Sequence, residues 1–176
     1  MLLCALALVM LCGCKGEEIC GDIAALYTGK SLGMTVSVRM TYLGKMTDYI
    51  MSQEFSLEQS SFKLIEPDIL NGIAATIDSS GILTFAGIIL VPENLPEGFS
   101  VFSLLHAAAR SLSSAQTLEC GSEGEDYRVT REIYIGERMF YLDQWFDKNT
   151  LEPLSFEFTL DGVRMLEGEY TEFGMK

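Results

Sequence analysis

The sequence predicts an α+β fold in which a long antiparallel meander curls around one helix. Three observations carry that expectation. Apolar and polar residues alternate in one segment after another, and each segment is bounded by glycine, proline, asparagine or aspartate. Only Phe99 to Ser113 shows a sustained helical period. No internal repeat is present, and one helix beside so many strands covers one side of one core.

The elements follow in order. Met34, Val36, Val38, Met40 and Tyr42 alternate with Thr35, Ser37, Arg39 and Thr41, which makes a half-buried strand. Leu43-Gly44-Lys45 turns the chain. Tyr49, Met51, Phe55 and Leu57 then share the apolar face of an antiparallel partner. A third strand over Ser61–Glu66 stops at Pro67-Asp68, and a fourth spans Ile73 to Ile77. After the turn Asp78-Ser79-Ser80-Gly81, Ile82–Val91 reads as one strand apolar on both faces, which implies burial on both sides. Pro92 to Gly98 breaks the pattern. In the helix, Phe102, Leu105, Ala109 and Leu112 recur at steps of three and four, and Ser100 is placed to cap it. Strands resume at Gln116–Cys120, Asp126–Ile135, Glu137–Phe146, Pro153–Leu160 and Val163–Phe173. The turns between them are Gly121 to Gly124, Gly136-Glu137, Asp147 to Thr150 and Asp161-Gly162. The last is the sharpest two-residue hairpin signal. The count is nine or ten strands.

The N-terminus is of another kind. Met1 to Met10 contains no charge, Leu11-Cys12-Gly13-Cys14 follows, and Lys15-Gly16-Glu17-Glu18 is abruptly polar. The residues before Cys14 span about 20 Å as a helix at ~1.5 Å per residue. That is short of a ~30 Å hydrocarbon core and suits the apolar region of a signal peptide. A small residue before a cysteine resembles the bacterial lipobox, which implies cleavage between Gly13 and Cys14 and diacylglycerol on the Cys14 thiol. No Lys or Arg precedes the apolar run, so the expected start codon lies upstream or Met1 is misassigned. Cys12 stands where Ala or Ser is more usual. The domain plan is a lipoprotein signal peptide over 1–13, a lipidated tether with a short helical turn over 14–33, and a single domain over 34–176. The expected location is the cell membrane, lipid-anchored on the extracytoplasmic face.

Twelve Lys and Arg stand against 25 Asp and Glu, for a net charge of −13. Such a balance argues against nucleic acid as a partner, because its binders carry basic patches. It also argues against electrostatic adhesion to anionic lipid. Of five cysteines, processing removes Cys4 and Cys12 and acylates Cys14, which leaves Cys20 and Cys120. Outside the cytoplasm these two can bridge within the chain, bridge between chains, or stay free.

Tyr141 to Leu154, with Asp147, Thr150 and Pro153, resembles a hairpin of the LolA/LolB-like lipoprotein-carrier superfamily. Pro67-Asp68-Ile69-Leu70-Asn71-Gly72 is similar to its Pro-acidic-x-Leu-x-Gly link, and Leu160-Asp161-Gly162 to Phe173 is similar to its closing hairpin. The lipid-anchored Gram-positive relatives, including the spore-germination lipoprotein group, are nearest in pattern. The resemblance implies a half-open β-barrel of about 9–11 strands with one main helix over an apolar concave face. In the carriers that face receives acyl chains. Here an anchor at Cys14 opposes a shuttle, and only one long helix is visible where carriers have more lid elements.

Enzymatic chemistry finds little support. His106 is the only histidine and sits mid-helix, and no Gly-x-Ser-x-Gly motif occurs. Ser60-Ser61-Phe62-Lys63 matches Ser-x-x-Lys but lies on a strand without its companion motifs. One histidine and no clustered cysteine pairs match no usual zinc pattern, and no spacing matches a calcium loop. No catalysis, cofactor or metal is expected. Apolar side chains remain: Val36, Val38, Met40, Tyr49, Met51, Phe55, Phe102 and Leu105 form the candidate ligand face, with Met34, Met46, Phe85, Met139, Phe140 and Trp145 as further adaptable surface. The competing reading is that these side chains fill the core. Arg39 and Arg131 are the strand cations that could meet a ligand head group, and alternation turns Arg39 toward solvent. The expected function is binding of an apolar or acylated ligand by a non-catalytic membrane lipoprotein. The alternative is a protein–protein scaffold for a cell-envelope or spore-cortex enzyme.

Overall fold

Among the described residues, eleven strands build one open antiparallel sheet in the order β6-β5-β4-β3-β2-β1-β11-β10-β9-β8-β7. The structure is a computed structural model and describes residues 18–42, 44–91 and 100–176. The expected signal peptide over 1–13, the expected cleavage between Gly13 and Cys14, the expected lipidation of Cys14 and the expected break at Pro92–Gly98 all fall outside the described residues. The strands are β1 Leu32–Tyr42, β2 Lys45–Phe55, β3 Gln59–Glu66, β4 Ala74–Asp78, β5 Leu83–Phe85 and β6 Ile88–Leu90 in the first half. The second half holds β7 Glu119–Glu123, β8 Asp126–Ile135, β9 Arg138–Asp147, β10 Pro153–Leu160 and β11 Val163–Met175. Helix α1 occupies residues 18–27, and α2 is Ser100–Ser111. First and last strands pair at the centre of the sheet, so each half meanders outward and β6 and β7 become its edges.

Two amides show that the sheet curves. Gln53 of β2 donates through Nε2 to the Leu105 carbonyl of α2 at 3.3 Å, and Gln144 of β9 donates to the Ala108 carbonyl at 3.2 Å. On a flat sheet β2 and β9 would be about 19 Å apart, at ~4.8 Å per strand step. The two carbonyls sit only about 5 Å apart along the helix, at ~1.5 Å per residue. Both strands reach one short helix because the sheet bends around it.

The core lies between the helices and the inward rows of the strands. Gly168 of β11 pairs with Phe156 of β10, and a Cβ at Gly168 would collide with the Phe156 ring. The missing side chain therefore lets the ring lie over the backbone, as aromatics do over strand glycines. The closing hairpin is as expected: Asp161 (φ 51°) and Gly162 (φ 77°) both take the left-handed conformation between Leu160 and Val163.

Four expectations are corrected. Residues 18–27 are not a tether with a short turn but a helix whose Cys20, Ile23, Ala24 and Tyr27 are buried in the core. The packed body therefore begins before residue 34, since these positions form one helical stripe. Ile82–Val91 is not one doubly buried strand. Ala86 (φ 49°) and Gly87 (φ 80°) fold it into the β5–β6 hairpin, whose Ile88 and Ile89 are 60% and 69% exposed at the sheet edge. Leu57 lies beyond the end of β2 and is exposed rather than on its apolar face. Strand β7 continues to Glu123 instead of ending at Cys120, and the turn moves to Gly124-Glu125.

Candidate ligand-binding cleft

Polar residues interrupt the inward rows at matching places. Gln53 sits between Met51 and Phe55, Gln144 between Leu142 and Phe146, and Arg131 between Val129 and Ile133. All three of these polar side chains are buried. Together they seat α2. Besides its bond to Leu105, Gln53 reaches the Ser60 hydroxyl at 3.4 Å, and that hydroxyl lies 2.9 Å from His106 Nδ1. The Gln144 carbonyl oxygen accepts from the Ser111 hydroxyl and from Arg131 Nη1, each at 2.8 Å. Arg131 Nη2 donates to the Ser114 carbonyl at 3.2 Å. Strand cations and amides thus bond backbone carbonyls on α2 and just beyond it.

Beside this network opens a cleft of about 650 Å³. One wall is α2, with Ser103, His106 and Arg110. Ile77 and the β4–β5 turn form a second wall, and Arg131, Ile133 and Ile135 of β8 form the third. His106 Nε2 and Arg131 Nε are buried and have no hydrogen-bond partner among the described residues. Burial pushes His106 down to about 4, helped by the nearby positive charge of Arg110 and opposed by Asp78. The imidazole is therefore neutral at neutral pH. Arg131 is pulled down to about 10 by burial, opposed by Tyr170, and it stays a cation.

The candidate ligand face has a different setting. Val36, Val38, Met40, Met51, Phe55, Phe102 and Leu105 are all buried in one hydrophobic cluster with both helices, and Tyr49 is half-buried against it. None of them lines the cleft beside α2. Met46 and Trp145 point to the outer surface, where the Trp145 indole N–H donates to Glu123 and Arg128 lies 5.9 Å over the ring. Arg39 is also on the outer face, paired with Asp48 at 2.8 Å and Glu167 at 3.4 Å. Cys20 and Cys120 are joined in a disulfide with Cα atoms 6.3 Å apart. Ser60 and Lys63 of the Ser-x-x-Lys match face opposite sides of β3, and Ser60 is fully buried against His106. A nucleophile there would have neither the lysine nor access to a substrate.

The residues that sequence reasoning missed are Gln53 and Gln144. Their signal was present, because an amide in an inward row needs a partner. The hairpin motif of the family resemblance also acquires a physical role. Asp147 Oδ1 accepts from the Asn149 and Thr150 amides at 2.8 Å each, and Leu151 takes φ 59°. The Leu151 carbonyl then receives the Tyr27 hydroxyl at 2.7 Å.

The fold is LolA-like. Over 92% of its length the chain is similar to a putative outer membrane lipoprotein-sorting protein domain from Vibrio parahaemolyticus, with 13% identity, 92% of that chain covered and a TM-score of 0.51. Over 90% it is similar to an uncharacterized conserved protein from Thermus thermophilus, with 11% identity, 86% of that chain covered and a TM-score of 0.52. A LolA superfamily protein from Nitrosomonas europaea is similar over 92% of this chain and 94% of its own, with 12% identity and a TM-score of 0.48. The sequence matches no protein-family model and no curated protein.

Proposed function

We propose that this chain is a membrane-anchored extracytoplasmic lipoprotein whose LolA-like half-barrel binds an apolar or acylated ligand without catalysing a reaction. The cleft of about 650 Å³ beside α2 carries this reading. Its volume is in the range of small-molecule sites, and its walls combine Ile77, Ile133 and Ile135 with serines, His106, Arg110 and Arg131. The ligand enters between α2 and β8, because the residues from Val36 to Leu105 that formed the expected face already pack against each other. Two or three acyl chains on Cys14 hold the protein stably, whereas a single chain binds membranes only marginally. The Ser60 hydroxyl is fully buried against His106, so this pair offers a substrate no accessible nucleophile.

Mass spectrometry of protein purified from its native membranes tests both parts. The expected result is loss of residues 1–13, an acyl mass on Cys14 and a co-purifying amphiphile. An unprocessed N-terminus contradicts the anchor, and a ligand-free protein in every preparation contradicts the binding role.

A scaffold for a cell-envelope or spore-cortex enzyme is the second reading, favoured by the short edge strand β6 with Ile88 and Ile89 exposed. An envelope protein that co-purifies with the chain and is lost on Ile89→Lys would support it.

A further inference from the structure

We infer that Arg131 forms a head-group subsite for a single-chain amphiphile bearing a carboxylate or phosphate, a deepening that rests on the ligand-binding reading above. Arg131 projects from the inward row of β8 into the cleft and is only 2% exposed. Its two recorded partners, the Gln144 side-chain oxygen and the Ser114 carbonyl, are both neutral. No ion pair to Arg131 occurs among the described residues, although the chain carries 25 carboxylates. A buried cation is ordinarily matched by an anion, because desolvating an unpaired charge is costly. Of the five guanidinium N–H donors, the buried Nε–H lacks a partner among the described residues, and it belongs to a residue that lines the cleft.

The geometry of guanidinium selects the ligand class. Nε–H and the adjacent Nη2 edge form a planar fork that matches two oxygens of a carboxylate or phosphate. Ser114 accepts one Nη2 hydrogen, so the second remains for an oxyanion. Ile133 and Ile135 follow Arg131 on the same inward row, and Ile77 faces the same space. A chain extending from the head group therefore lies on apolar side chains, which selects an amphiphile over a bare anion. Arg110 is also on the wall, on the α2 side, and adds positive charge to the mouth. Among the described residues, Glu132 is the one carboxylate on the wall, so the two arginines leave the lining with a local positive excess in an acidic chain.

Calorimetric titration of the whole chain with decanoate, 1-decanol and acetate tests the subsite. Decanoate is expected to bind at least tenfold more tightly than either 1-decanol or acetate. Arg131→Met is expected to lower decanoate affinity at least tenfold, to the level of decanol. Equal binding of decanoate and decanol by the unmodified chain overturns the head-group subsite while leaving the apolar cleft in place. Acetate that binds as tightly as decanoate overturns the amphiphile in favour of a small free anion. Binding of neither ten-carbon probe overturns the underlying ligand-binding reading as well. The decanoate–decanol comparison needs no variant, so the inference stays testable if Arg131→Met does not fold.

Discussion

Helices α1 and α2 pack into one core but are held there by different chemistry. The α1 side is apolar and covalently fixed: Ile23 and Ala24 are buried, Cys20 is bridged to β7, and Tyr27 ties the helix to the β9–β10 turn. The α2 side combines a similar apolar stripe with buried Gln53, Gln144 and Arg131, and it borders the cleft. Apolar burial is non-directional and fills space, whereas amide and guanidinium donors fix a helix through particular carbonyls. Under the proposed function, the difference gives α1 a stabilising role and sets α2 beside the ligand.

The largest test of that division is the disulfide. Reduction, or Cys120→Ser, opens a loop spanning a sequence separation of 100. In the chain-entropy model this costs about 4–5 kcal/mol. Denaturant unfolding under reducing conditions should show that loss. A shift below about 1 kcal/mol would mean that α1 is held without the bridge.

Acid probes the other side. His106 is held neutral when folded, while the unfolded chain protonates near the ordinary histidine value of 6.5. Between pH 6.5 and about 4 the unfolded state binds the extra proton, so stability is full above 6.5 and falls as pH drops through that window. The fall is up to about 3 kcal/mol. His106→Gln should flatten the pH–stability profile in that window relative to the unmodified chain. An unchanged slope would remove His106 from the account.

A smaller effect is expected at Tyr27, whose phenol burial pushes well above the usual range and whose hydroxyl serves the Leu151 carbonyl. Tyr27→Phe leaves that carbonyl without its donor and should cost about 1–2 kcal/mol. Decanoate affinity should not change, because the contact is on the α1 side. A parallel loss of affinity would join the two sides that the account keeps apart.

The sheet was legible because alternation is a local signal. Strands β8 and β10 run from Asp126 to Ile135 and from Pro153 to Leu160, the bounds their patterns suggested. Tertiary context decided the rest. In α1 the stripe Cys20, Ile23, Ala24 and Tyr27 is written in the sequence, but Gly21 weakens the helix locally and Asp22 reads as a cap. The β5–β6 turn is hidden because Ala86 takes a left-handed conformation that alanine seldom adopts, leaving Gly87 as the only signal. At the cleft, Arg131 was visible as a strand cation that could meet a head group. Val36, Val38, Met40, Tyr49, Met51, Phe55, Phe102 and Leu105 lie in or against the hydrophobic core, and pattern alone does not say whether such a face is filled or open. That depends on how far the sheet closes on α2, which Gln53 and Gln144 set from strands far apart in sequence.

Hydrogen exchange of the whole chain, with and without decanoate, tests the division of labour most directly. The account predicts slower exchange over residues 103–118 and 131–136 when decanoate is present, with 18–27 unchanged. Protection of 18–27 alone, or equal protection of both regions, would contradict it.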